Sequence, residues 1–193
     1  TLVGRVRENS QSLQQRIFQQ KRLYCFFQKG KFFYAEYNIR LFFYLLFVNT
    51  DVYCAIDLDT ILPNLFASLI RRKRRVYDAH ELFCEMEEIV SRPAIFKVWK
   101  AIERFAVPRF PYGYTIGECY AAEFTRMYGV HYSIVRNATV LQNTATVNTA
   151  PKEKYILYQG AVNEGRSFET LIPAMQQVNA ILVVCGEGNF FEQ

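Results

Sequence analysis

Short apolar runs alternate with stretches of helical periodicity along nearly the whole 193-residue chain. That alternation is the strongest constraint on the fold. Strands that return to their neighbours through helices form parallel βαβ units, with the helices packed on the sheet. Residues 51–56 read as a short buried strand ending at Asp57 and Asp59. Residues 60–70 read as a helix with Ile61, Leu65 and Leu69 on one face and Pro63 in its first turn. A strand is expected at 74–77. The clearest periodicity lies at 93–107, where Ile95, Val98, Trp99, Ile102, Phe105 and Ala106 fall on one face opposite Lys97, Lys100 and Arg104. Pro93 starts this helix and Pro108 stops it. Packing on a sheet accounts for the stripe, and a membrane-surface helix is the alternative. A strand at 112–117, a helix at 121–128 stopped by Gly129, and a strand at 132–135 complete the series.

Upstream, residues 23–27 and 32–34 read as strands with Gly30 as the turn between them. Residues 37–47, apolar on nearly every side, read as a buried helix. The polar tract 142–154, with Pro151, reads as a linker, after which the alternation restarts: strand 155–159, glycine turn, helix 168–178, strand 180–185. Pro173 implies either a kink or a later helix start. The expected organisation is α/β with two Rossmann-like domains: 1–141, a linker at 142–154, and the beginning of a second domain at 155–193. The opening residues read as the end of a strand, so the first domain is expected to lack its opening strand. The second is expected to stop after one βαβ unit, which is too little to sustain a core alone.

Half of the residues are hydrophobic, with 17 Phe and 13 Tyr, so disorder and collagen-like order are excluded. The longest apolar stretch, 41–48, is far below the roughly 20 residues of a membrane span. Cysteines 25, 54, 84, 119 and 185 are scattered, without a Cys-x-x-Cys pair. This points to small buried hydrophobes in a reducing, cytoplasmic compartment, and to no metal site. The net charge of +5 is concentrated in Arg71, Lys73 and their neighbours Arg72, Arg74 and Arg75. The run reads as a solvated helix end or as a peripheral contact with an anionic membrane. No recognised nucleic-acid motif accompanies it.

Three places carry residues suited to chemistry. His80 stands in Tyr77-Asp78-Ala79-His80-Glu81 after an expected parallel strand, and open α/β sheets bind ligands outside the carboxyl ends of their strands. There an imidazole oriented by Asp78 or Glu81 can serve a sugar hydroxyl; a turn histidine bonded to backbone is the plainer alternative. His131 reads as a surface connector. The turn of residues 160–167 offers Gly160, Asn163, Arg166 and Ser167, a plausible cap, between strand and helix. That chemistry suits a diphosphate, although an ordinary βα turn has the same pattern. Gly186 and Gly188 end the next strand, where missing side chains would admit a ligand. The pair Asp57 and Asp59 precedes a helix that Asp59 can cap.

In their order, Asp57-Leu58-Asp59-Thr60, residues 77–83, the helix at 99–105 with Glu103, Arg136-Asn137, the turn at 160–166 and Gly186-Glu187-Gly188 resemble the retaining, two-Rossmann-domain GT-B glycosyltransferases of family four. The resemblance spans most of the chain. It implies transfer of a sugar from a nucleotide donor to a glycan or lipid-linked acceptor with retained configuration, and no cofactor or bound metal. By that resemblance His80 lies at the reacting sugar. Arg166 stabilises the leaving diphosphate with help from Asn163, and Gly186 and Gly188 line the nucleotide pocket. Where relatives carry arginine after the glycine, Ala161 stands here. The family's donor-site glutamates are expected beyond Gln193, so the stretch is expected to lack turnover alone. A nonenzymatic sugar-binding module and a nucleotide-sugar epimerase share the same plan.

Overall fold

The computed structural model describes residues 1–7, 10–139 and 154–192. The protein is mixed α/β with parallel sheets, divided into two compact units, Thr1–Ala138 and Thr139–Gln193. Most of the expected linker lies outside the described residues.

Two parallel sheets build the first unit. Strands β1 (Leu2–Arg5) and β2 (Gln20–Leu23) form a pair, and β3 (Val52–Ile56), β4 (Arg74–Ala79), β5 (Gly113–Thr115) and β6 (Ser133–Ile134) lie side by side in chain order. Helices α2 (Ile61–Ile70), α3 (Glu87–Val90), α4 (Pro93–Ala106) and α5 (Glu118–Tyr128) make the crossovers of the larger sheet. Crossovers between sequential parallel strands are almost always right-handed, which puts their helices on one face, and burial agrees: on β3 Tyr53 and Ala55 are buried while Val52, Cys54 and Ile56 are exposed. Under the helices lies an aromatic cluster. Tyr77 meets Phe110, Phe124 and Tyr132 with ring centroids 5.9, 6.3 and 6.0 Å away. Gly113 is required at this packing, since a Cβ there would stand 2.7 Å from the Tyr132 ring.

Helix α1 (Gly30–Phe47) absorbs residues 32–34, which the sequence suggested as a strand. Two contacts favour the longer helix. Phe33 stacks on Tyr37 one turn away at 5.7 Å, and Glu36 pairs with Arg40 at 2.8 Å. The Glu36 carboxylate also accepts the Phe26 and Phe27 amides, at 3.0 and 2.9 Å. Those amides are thereby taken from any ladder, so β2 ends at Leu23 instead of running to Phe27. Nor is α1 buried all round. Tyr37, Leu41 and Leu45 form a buried stripe, but Ile39, Phe43 and Phe47 are exposed.

The α4 stripe is likewise rotated from the expected one. Ala106 is buried and Trp99 and Ile102 pack on the core, but Ile95, Val98 and Phe105 are exposed and Glu103 faces inward. Of the five basic residues after α2, three are tied down. Arg71 donates to the Val48 carbonyl, Lys73 pairs with Asp51 at 3.3 Å, and Arg75 donates to the Arg109 carbonyl at 2.6 Å. Arg72, in left-handed backbone at φ 52°, and Arg74 have no side-chain partner among the described residues. Cys25 and Cys84 are buried as expected; Cys54, Cys119 and Cys185 are exposed, and all five are free thiols. Among the described residues, no helix is long and apolar enough to cross a membrane.

In the second unit β7 (Tyr155–Gln159) and β8 (Ile181–Cys185) pair in parallel, joined through α6 (Phe168–Ala174). Pro173 sits inside α6, and the backbone tightens into a 3-10 turn at Met175–Gln177. Among the described residues of this unit Val162 and Phe168 are the buried apolar ones, while Tyr155, Ile156, Leu157, Ile181 and Val183 are exposed. Parallel strands ordinarily have both faces covered. This unit covers little of either.

Candidate functional site

The carboxyl ends of β3 and β4 lie side by side, with Ile56 opposite Asp78 in parallel register. Directly after β3, Asp57 has φ 56° and ψ 171°, a backbone region essentially reserved for glycine. Its amide donates to the Asp78 carbonyl at 3.0 Å, which extends the ladder through this conformation. Its Oδ1 is buried without a hydrogen-bond partner. Burial raises the Asp57 pKa, Glu81 and Asp78 add to the rise, and the His80 imidazole and backbone N–H oppose it. A strained, partly desolvated carboxylate is an arrangement that functional sites retain against its cost in stability.

Asp78, buried at the end of β4, anchors two groups. The Tyr114 hydroxyl on β5, the register neighbour of Asp78, donates to its Oδ2 at 2.7 Å. Burial and this hydrogen bond both raise the Tyr114 pKa, so the phenol stays a donor. His80 Nδ1 stands 2.6 Å from Asp78 Oδ1, in contact although not in hydrogen-bond alignment. A proton on Nδ1, shared with this carboxylate, would leave Nε2 as an acceptor. The His80 side chain is 42% exposed, so the imidazole is accessible. The geometry can orient a neutral imidazole toward a bound hydroxyl. Of the two carboxylates the sequence offered to His80, Asp78 is the one that stands 2.6 Å from its ring; Glu81 acts on Asp57 by charge.

Asp59 does not cap the helix, as expected from its position. Thr60 occupies the cap, and its hydroxyl donates to the Ile56 carbonyl at 2.7 Å. Burial, then the charge of Asp57, push the Asp59 carboxyl up to about 6. His131 is exposed. Cavities of about 560 and 570 Å³ occur elsewhere in this unit, and neither is lined by His80 or Asp78. Among the described residues, no group of three or more His, Cys, Asp or Glu could hold a metal ion.

In the second unit the structure brings Gly160, Asn163, Gly186 and Gly188 together, but for a reason the sequence did not suggest. A Cβ on Gly186 would lie 1.8 Å from the Gly160 carbonyl oxygen, and one on Gly188 would lie 2.0 Å from that of Val162. The side-chain space that was expected to admit a ligand is filled by the 160–162 backbone. Hydrogen bonds from Val162 N to Glu187 O and from Phe190 N to Val162 O, each 3.0 Å, hold the two segments together. Asn163 Oδ1 accepts the Asn189 amide at 3.2 Å, so it braces the turn. Ser167 sits at the start of α6 with φ 62°, but its side chain makes no cap. Arg166 is exposed, and its guanidinium has no partner among the described residues.

Sequence reasoning missed Tyr114, whose only signal was a polar-tipped ring on the strand next to Asp78. It also missed the burial of Glu103, which is 2% exposed and bound by the Tyr128 hydroxyl and by Lys100 at 2.8 Å. Lys100, expected on the polar face of α4, also meets Glu85 at 3.0 Å. Burial alone would lower the Lys100 pKa; the bonds to Glu103, Glu85 and Tyr128 outweigh it and keep the ammonium charged. Burial and Glu103 push the Cys84 thiol up to about 12. No family model matches the chain, and no curated protein matches it at a significant level.

Proposed function

We propose that the protein is a GT-B type glycosyltransferase, moving a sugar from a nucleotide donor to a glycan or lipid-linked acceptor with retained configuration. The observation that carries this reading is the Asp78–His80 pair beside strained Asp57, at the carboxyl ends of adjacent parallel strands. In this reading His80 Nε2 accepts a hydrogen bond from a hydroxyl of the transferred sugar. Asp78 and Tyr114 fix the ring. Such polar assistance at a reacting centre contributes about a hundredfold or more in rate.

Arg166 is assigned to the departing diphosphate, whose two charges a planar guanidinium can meet bidentately. Its exposure, and the absence of a side-chain partner among the described residues, support that role. Asn163, Gly186 and Gly188 shape the turn that presents it. Calorimetry with UDP and GDP against uridine and guanosine tests the assignment: Arg166→Ala is expected to weaken the diphosphates about tenfold or more and to leave the nucleosides unchanged. Equal losses for both classes would remove Arg166 from the phosphate site.

A further inference from the structure

Helix α2 carries its polar residues inward and its apolar ones outward. Asn64 and Ser68 are buried with Ile61, Pro63, Leu65 and Ala67, whereas the residues left outside, Leu62, Phe66, Leu69 and Ile70, are all apolar. They recur at the spacing of one helical stripe, the side on which a helix that meets water ordinarily places charge. Phe66, Leu69 and Ile70 are 43, 51 and 64% exposed. The inward polar groups are satisfied locally: the Asn64 amide donates to the Thr60 carbonyl at 2.9 Å and the Ser68 hydroxyl to that of Leu65 at 2.7 Å.

Helix α4 extends this face. The exposed Phe105 ring lies 6.3 Å from that of Phe66, and the Arg109 guanidinium stands 4.1 Å over Phe105. Both helices return antiparallel to the strands they connect, so their last turns meet at the amino end of the larger sheet, and the Arg75 bond to the Arg109 carbonyl ties them there. His80 lies at the opposite, carboxyl end. The charge around the face has one sign. Residues 61–75 contain no acid, and the one acid of 93–109, Glu103, is buried. Within the basic run, Arg71, Lys73 and Arg75 are half-buried and occupied by the bonds described above, while Arg72 and Arg74 are exposed and have no side-chain partner among the described residues. Arg72 even holds the left-handed position after the helix, at φ 52°, where glycine is favoured.

An apolar stripe rimmed by cations alone restricts what can cover it. A second copy docked on the same face would set the arginines of one chain against those of the other. A nucleic acid would meet the arginines but leave the apolar stripe in water. An anionic bilayer satisfies both halves, with phosphates for the guanidinium groups and the headgroup–acyl boundary for the apolar side chains. We propose that Phe66, Leu69, Ile70 and Phe105, with Arg72 and Arg74, form a docking surface for an anionic lipid membrane. The sequence pointed to the basic run as a whole; the structure removes three of its members and supplies the apolar half. This surface is separate from the His80 site, and the inference does not depend on the reaction proposed there.

The test is co-sedimentation of the whole chain with vesicles of phosphatidylcholine and phosphatidylglycerol in equal parts, and with vesicles of phosphatidylcholine alone. Binding is expected to the anionic vesicles and to weaken about tenfold or more on the neutral ones. Arg72→Gln with Arg74→Gln should cost about tenfold or more, and so should Leu69→Gln with Ile70→Gln, which leaves the charge unchanged. Arg16→Gln with Lys21→Gln removes the same charge before and within β2 and should cost about twofold at most. All six positions are exposed, so these changes leave the core intact. Absence of binding, equal binding to both kinds of vesicle, full binding by the Leu69 and Ile70 variant, or an equal loss at Arg16 and Lys21 would each overturn the proposal. So would retention on a DNA duplex in preference to the vesicles, or a dimer in sedimentation without lipid that Leu69→Gln with Ile70→Gln disperses, because a nucleic acid or a second copy would then be the occupant.

Discussion

Asp57 lies in glycine-only backbone space, so replacing it with glycine and with alanine should reverse the usual order of stability. Holding a non-glycine residue at φ 56° and ψ 171° costs about 1–3 kcal/mol, and alanine retains that strain while glycine sheds it. Glycine loses about 0.5–1 kcal/mol to the greater freedom of its unfolded chain. Both variants lose the carboxylate and its attraction to His80 equally, so the difference between them isolates the backbone. Asp57→Gly should therefore exceed Asp57→Ala in stability by about 1–2 kcal/mol, whereas at an ordinary site alanine leads. At about 2–4 °C per kcal/mol for a chain of this size, the melting temperatures separate by several degrees. Urea unfolding followed by the fluorescence of Trp99, the single tryptophan, which packs on Phe83 and Tyr34 in the first unit, reads the difference. An alanine variant as stable as the glycine variant, or more stable, would refute the strain argument.

Two further perturbations test the electrostatics of the same unit. The Asp59 pKa is raised from 3.8 to about 6, so the folded state holds this proton more tightly than the unfolded chain does. Its stabilising contribution is full below about pH 4 and is lost as pH rises to about 6, a change of about 3 kcal/mol. Asp59→Asn should flatten the stability profile across that window, and an unchanged profile would exclude Asp59 as its source. Lys100→Met leaves Glu103 buried without its cation and should cost about 3 kcal/mol at neutral pH. Adding Glu103→Gln should recover most of that loss; a double variant no more stable than the single would show that the ion pair is not what matters.

The larger sheet was legible because its strands are short apolar runs, each followed by a recognisable helix or turn signal. The helices read at 60–70 and 121–128, observed at Ile61–Ile70 and Glu118–Tyr128, and the strand at 155–159 needed only local periodicity, Pro63 and Gly129 to be placed. The larger failures are tertiary. The strand reading of 32–34 lost to a helix whose Glu36 reaches back ten residues to the Phe26 amide, which no window on the sequence reveals. The α4 stripe was misjudged because Lys100 and Glu103 neutralise each other inside the core, so Lys100 read as surface while Val98 and Phe105 read as core. At the candidate site His80 and Asp78 were visible because they are two residues apart beyond a strand. Tyr114 was not, since its contact with Asp78 spans 36 positions and exists only through the β4–β5 register. Gly186 and Gly188 were read as openings for a ligand, whereas the 160–162 backbone fills the space beside them, because a missing side chain serves backbone packing as readily as it serves a ligand.

The central claim is that Asp78 orients the His80 imidazole toward a sugar. The chain has two histidines, so histidine-specific ¹⁵N labelling yields two ring systems, one at the site and one at exposed His131. In its neutral form His80 should carry its proton on Nδ1, and Asp78→Asn should disturb that tautomer. Titration with UDP-glucose, UDP-N-acetylglucosamine and GDP-mannose should shift the His80 Nε2 resonance for at least one donor and leave His131 unmoved. A His80 ring protonated on Nε2 in the neutral form, or one indifferent to every donor while His131 is equally still, would contradict the account.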